Sequence, residues 1–164
     1  MKHAGRTSVS ARTVFTDPVH FLAFGFGVGL LPKAPGTAGS VLGLLFAWLT
    51  FSIGLPWRIA IAGALIIIGI WICGESAKRL GVHDYRGIVW DEIAGMYVTL
   101  LAVPRELTFW VIGFALFRIF DIWKPWPIRD LDSTVAGGSG IMIDDLLASI
   151  FAILLLLLVG ILIG

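Results

Sequence analysis

Apolar runs long enough to cross a bilayer dominate the pattern of this chain. From Leu146 to Ile163 eighteen residues pass without a charge, about the length that a hydrocarbon core of roughly 30 Å requires of a helix. Val41 to Leu55 and Ile59 to Cys73 form a pair of runs around "PWR". Pro56 is expected to stop the first of them and Trp57 suits headgroup depth, so the pair predicts a helical hairpin. Ile93 to Val103 and Leu107 to Phe120 repeat the arrangement around "PRE" with shorter runs. Val19 to Leu31 differs, because Gly25, Gly27 and Gly29 recur at every second position and each costs a helix up to about 1 kcal/mol relative to alanine. A re-entrant or interfacial segment running into "PKAPGTAGS" is expected there, since irregular backbone at membrane depth must be buried or line a wet cavity. The predicted fold is an all-α polytopic membrane protein of about four to five hydrophobic helices plus this Gly-rich N-terminal segment. Residues 1–16 are expected as a basic cytoplasmic tail and 17–164 as a single membrane-embedded domain.

Composition supports that picture and removes other classes. The chain is 58% hydrophobic with mean hydropathy +0.95, more than a soluble domain of 164 residues can bury in one core. A net charge of +1 carries no polyanion-binding signature, so no nucleic-acid partner is expected. Cys73 is the single cysteine, which excludes an internal disulfide framework. Lys2, Arg6 and Arg12 are followed by "TVFTDPVHF", which supplies neither the apolar stretch nor the cleavage site of a signal peptide.

Five crossings with the N-terminus inside place Lys33, Lys78, Arg79, Arg86, Lys124 and Arg129 in inner segments and only Arg58 and Arg105 in outer turns, as the positive-inside rule requires. The same topology gathers Glu75, Asp84, Asp91, Glu92, Asp121, Asp130, Asp132, Asp144 and Asp145 on or near the cytoplasmic face.

Several of these acids form constellations. "VWDEIAGM" sets Asp91 and Glu92 at the mouth of a predicted helix, where the helix dipole also favours ordinary solvated carboxylates. "GGSGIMIDDLLASIF" repeats the pattern, with a Gly-rich turn expected at Gly137 to Gly140 and Asp144 and Asp145 directly before the last apolar span. Neighbouring helical positions diverge by about 100°, so these two straddle one cation or bind two. In "FRIFDIWKPWPIRDLD" Arg118, Asp121 and Lys124 are spaced by three and are expected on one helix face. Arg118 sits inside an apolar span, where an unengaged charge costs about 2.5 to 3.5 kcal/mol, so it is expected to face a polar cavity. Oxygen ligands without His or Cys clusters favour a hard cation such as Mg²⁺, with nearby Lys and Arg holding phosphate oxygens.

"LLPKAPGTAGS" offers Thr37 and Ser40 either as helix caps or as part of a phosphate nest. It is not a Walker A loop, so no nucleotide is expected. Cys73 to Arg79 matches the C-x₅-R count of cysteine phosphatases, but Cys73 follows an apolar run and Glu75 would repel phosphate. His83, with only His3 and His20 besides, does not support a multi-histidine mechanism.

Taken together, "GVGLLPKAPGTAGS", "GVHDYRGIVWDEIAGM", "FRIFDIWKPWPIRDLD" and "GGSGIMIDDLLA" closely resemble the phosphatidylglycerophosphatase A family over residues 17 to 163. The resemblance implies a bacterial inner-membrane, Mg²⁺-dependent phosphatase that converts phosphatidylglycerophosphate to phosphatidylglycerol and phosphate at the cytoplasmic face. It implies functional roles for Asp91, Glu92, Asp121, Asp144 and Asp145, with Asp84 and Lys124 as further candidates and Glu75 ranked lower. The expected metal ligands are therefore Asp91, Glu92, Asp121, Asp144 and Asp145, then Asp84. Asp91, Asp121, Asp145 and Lys124 are the expected catalytic groups. Arg118, Lys124, Thr37, Ser40 and Arg129 are the expected phosphate-binding groups. The rival reading is a small ion or solute transporter, whose acids would spread toward the midplane instead of massing at one interface. A CDP-alcohol transferase is disfavoured because no D-G-x-x-A-R segment occurs.

Overall fold

Ser10 opens the first helix, α1 (Ala11–Thr16), by accepting the Thr13 N–H at 3.1 Å. Asp17 does the same for α2 (Pro18–Ala23), accepting from Val19 and His20. The computed structural model describes residues 9–82, 85–130 and 135–163. Val14 of α1 is fully buried, so the described part of the expected tail packs against the body of the protein. After α2 the chain turns through Gly25 and Gly27, at φ 55° and 97°, and makes a 3₁₀ turn at Val28–Leu30.

Five longer helices follow: α3 (Pro35–Thr50), α4 (Leu55–Leu80), α5 (Trp90–Thr99), α6 (Leu107–Trp123) and α7 (Gly137–Ile163). There is no strand among the described residues. Pro56 lies in the first turn of α4, where its missing N–H is harmless, and does not end the preceding helix, which stops at Thr50. Two helices, α4 and α7, are long and apolar enough to cross a membrane, with mean hydropathy 2.0 and 2.5. Large apolar side chains stay exposed along both, including Ile67, Trp71, Leu154 and Ile161, a distribution suited to lipid.

The element expected at Ile93–Val103 is shorter than a full membrane span. Helix α5 has ten residues, or about 15 Å, and is surrounded by α3, α4, α6 and α7. Trp90, Ile93, Ala94, Met96 and Tyr97 are all buried. It reads as apolar on every side because it is enclosed on every side, which periodicity alone does not separate from a membrane span.

The start of α7 is corrected. "GGSG" reads as a turn, yet Gly138 and Gly140 are helical. A side chain on Gly138 would run into the Ile70 carbonyl of α4, so glycine here serves close helix packing. Asp144 and Asp145 consequently lie two turns inside α7.

Candidate active site

The first turn of α5 carries Asp91 and Glu92, and the N-terminus of α3 presses against it. A side chain on Gly36 would overlap Glu92 Oε1. Helix α7 supplies Asp145, held in register where Ser149 Oγ reaches the carbonyls of Gly95 and Asp145, both at 2.7 Å. Asp91, Glu92 and Asp145 each bring one carboxylate oxygen within 4.8 Å of the others. Asp91 is 8% and Asp145 2% exposed.

Helix α6 brings the basic side. Arg118 Nη1 donates to Asp121 Oδ2 and to Ser40 Oγ at 3.3 Å, and stands 3.9 Å from Glu92 Oε1. Ser40 in turn donates to the Gly36 carbonyl at 3.0 Å. Lys124 Nζ donates to Asp144 Oδ2 at 2.5 Å. They border an open cavity of about 290 Å³, lined by five carboxylates (Asp91, Glu92, Asp121, Asp144, Asp145) and three basic groups (Arg86, Arg118, Lys124). Two formal negative charges remain, which one divalent cation balances.

The donor chemistry fits that cation. Glu92 Oε2 and Asp145 Oδ2 are buried without a hydrogen-bond partner, a costly state that a ligand relieves. An all-oxygen carboxylate set is what Mg²⁺ takes.

The expected site residues divide clearly. Asp91, Glu92, Arg118, Asp121, Lys124, Asp144 and Asp145 line one cavity. Within it Asp91, Glu92 and Asp145 come closest together, and Asp121 and Asp144 beside them also engage Arg118 and Lys124. Lys124 is past the end of α6 at φ 46° and does not share a helical face with Arg118 and Asp121. Its backbone turn still swings Nζ to the pocket. Ser40 reaches the site through Arg118, whereas Thr37 and Arg129 do not line the cavity. Asp84 and His83 lie outside the described residues.

Arg86 was not among the expected site residues. It lines the cavity and donates to the Pro32 carbonyl at 2.7 Å. Its signal was its place five residues before Asp91, within "DYRGIVWDE". The C-x₅-R match is excluded structurally: Cys73 and Arg79 lie on continuous helix, and Arg79 is engaged by Glu75 at 2.8 Å and Asp17 at 2.7 Å.

Fold and pocket define an all-α protein with two membrane-length helices and an acid-rich, open-mouthed cavity faced by arginine and lysine. A family model described as "Phosphatidylglycerophosphatase A" matches residues 21–160. Curated proteins of that name are similar along most of their length. One, from Escherichia coli K12, is 47% identical over 154 residues, covering 92% of this chain and 88% of that protein. Another, from Haemophilus influenzae Rd, is 42% identical over 140 residues, covering 84% and 86%. A Bacteroides thetaiotaomicron protein named "Putative phosphatidylinositol-3-phosphatase" is 38% identical over 141 residues, covering 80% and 87%. No solved structure matches. The chain belongs to the phosphatidylglycerophosphatase A family and is a phosphatase.

Proposed function

We propose that this chain removes the terminal phosphate from phosphatidylglycerophosphate in a bacterial inner membrane, yielding phosphatidylglycerol and inorganic phosphate, with the pocket toward the cytoplasm. The observation that carries the reading is the convergence of Asp91, Glu92 and Asp145 within 4.8 Å of one another, beside Arg118, in a chain of this family. The massing of acids in one pocket disfavours the transporter alternative.

Asp91, Glu92 and Asp145 would hold Mg²⁺, which when bound supplies charge neutralisation at the phosphate and a more acidic water. Arg118 is placed to hold phosphoryl oxygens: three neighbours fix it (Asp121, Ser40 and Glu92), so little reorganisation is needed as charge develops. Hydrolysis forms a P–O bond to water and breaks the P–O bond to glycerol. The proton lost by water goes to a carboxylate. Asp121, outside the three-carboxylate cluster, suits that part. The leaving glycerol oxygen takes a proton, for which Lys124 Nζ is the donor at hand, with Asp144 holding it in place. The acyl chains remain alongside the exposed apolar faces of α4 and α7.

The test is phosphate release by purified protein in detergent, where no gradient exists to drive transport. Phosphatidylglycerophosphate is expected to turn over with Mg²⁺ and to stop turning over with EDTA. Absence of release under both conditions would reject the proposal.

A further inference from the structure

The far end of the bundle carries a buried positive charge that nothing in the catalytic pocket uses. Arg58, in the first turn of α4, is only 7% exposed. Its Nη2 donates to the Leu100 carbonyl at 3.2 Å and its guanidinium lies 4.6 Å from the centre of the Phe51 ring. Its Nε is buried without a partner. Leu100 lies nine residues beyond Asp91, roughly 14 Å along the helix, so this is a separate place.

A second guanidinium, Arg105, stands 5.6 Å from the same Phe51 ring and 5.1 Å from Trp48. Among the described residues neither arginine forms an ion pair with a carboxylate, and Glu106, the acid nearest in sequence, does not pair with either. Arg58 also sits at the positive end of the α4 dipole, which disfavours a cation and favours an anion. The carbonyl and the ring offset part of the burial cost. They do not satisfy Nε or supply a counter-charge.

We infer that Arg58 and Arg105 bind the phosphate group of an anionic phospholipid in the leaflet away from the catalytic pocket. This rests on the reading of α4 and α7 as membrane-crossing. The lipid source follows from the surroundings: Trp57, Leu55 and Trp48 are 71%, 51% and 49% exposed at this end, the amphipathic belt expected at headgroup depth. Arg105 reaches the headgroup from the rim, and the guanidinium of Arg58, 7% exposed, adds a second positive charge from within the bundle.

The experiment follows thermal unfolding of the full chain in detergent micelles with EDTA present, so that no turnover occurs. Phosphatidylglycerol, phosphatidylcholine with the same acyl chains, or inorganic phosphate is added. Phosphatidylglycerol is expected to raise Tm by about 5 °C. That gain is expected to persist in Asp145→Asn, which alters the catalytic pocket, and to fall below half in Arg105→Gln, an exposed position whose change does not threaten folding. An equal gain from phosphatidylcholine or from inorganic phosphate, or an undiminished gain in Arg105→Gln, would overturn the inference. Failure of the membrane reading shows separately, as a chain that stays monodisperse without detergent, and failure of the hydrolysis reading shows only in phosphate release.

Discussion

Gly36→Ala tests the pocket with a single methyl group. Gly36 is the second residue of α3, and a Cβ there would overlap Glu92 Oε1 while standing 3.0 Å from Glu92 Cδ and 3.3 Å from Arg118 Nη2. Ordinary contact returns only if the carboxylate withdraws by roughly 1 Å or more, a displacement that costs catalysis on the order of 10²-fold, or about 2.7 kcal/mol of barrier. Stability works the other way, because alanine is the better helix former by up to about 1 kcal/mol, offsetting part of the local crowding. The expected signature is a drop of about 10²-fold in kcat/KM for phosphate release with Tm nearly unchanged. Gly63→Ala is the control, since a Cβ at Gly63 meets no atom within 4 Å and activity should stay at the wild-type level. A Gly36→Ala protein with kcat/KM within about threefold of wild type would refute the placement of Glu92 in the reacting centre.

Gly95→Ala should act through α7, because the added carbon would stand 2.8 Å from the Phe117 ring and 3.1 Å from the Asp145 carbonyl. Unfolding is expected to show a loss of about 1 to 3 kcal/mol, and phosphate release should fall with it as Asp145 shifts. Lys124→Met removes the ammonium that Asp144 accepts from at 2.5 Å. A roughly 10²-fold fall in kcat is expected, and the kinetics of Lys124→Arg, which keeps the charge, should fall between the two. Asp17→Asn probes how α1 and α2 are held to α4. Burial pushes the Asp17 carboxyl up, but the hydrogen bond from Arg79 and the N–H groups of Val19 and His20 outweigh it and hold the group below its ordinary 3.8. A depressed carboxylate stabilises the fold above the unfolded-state value and loses that contribution as pH falls through the folded-state one. The wild type should therefore exceed Asp17→Asn in stability at pH 7, with the difference vanishing in acid, as measured by denaturation across pH.

The sequence made some parts of this architecture legible for definite physical reasons. A run without charge from Leu146 to Ile163 can hardly be anything but the body of a long helix, and α7 contains it. Asp91, Glu92, Asp121, Asp144 and Asp145 stood out because charge in apolar surroundings is costly, and all five meet in one cavity. What stayed hidden depends on contacts distant in sequence. Gly137 to Gly140 reads as a turn until α4 is seen packed against Gly138. The enclosure of α5 by its neighbours leaves no trace in its own ten residues. Arg58 looks like an exposed turn residue in "PWR", yet the Leu100 carbonyl and the Phe51 ring draw it into the bundle. Lys124 fits the i, i+3 spacing of Arg118 and Asp121, but the helix ends one residue before it, ahead of Pro125.

Phosphate release from phosphatidylglycerophosphate by Asp145→Asn and by Glu75→Gln, measured side by side with saturating Mg²⁺, tests the assignment of the reaction to this pocket most directly. Asp145 is 2% exposed in the three-carboxylate cluster, whereas Glu75 is engaged with Arg79 outside the cavity. Asp145→Asn is predicted to lose kcat/KM by about 10³-fold and Glu75→Gln to stay near wild type. An active Asp145→Asn, or a dead Glu75→Gln that still folds, would contradict the account.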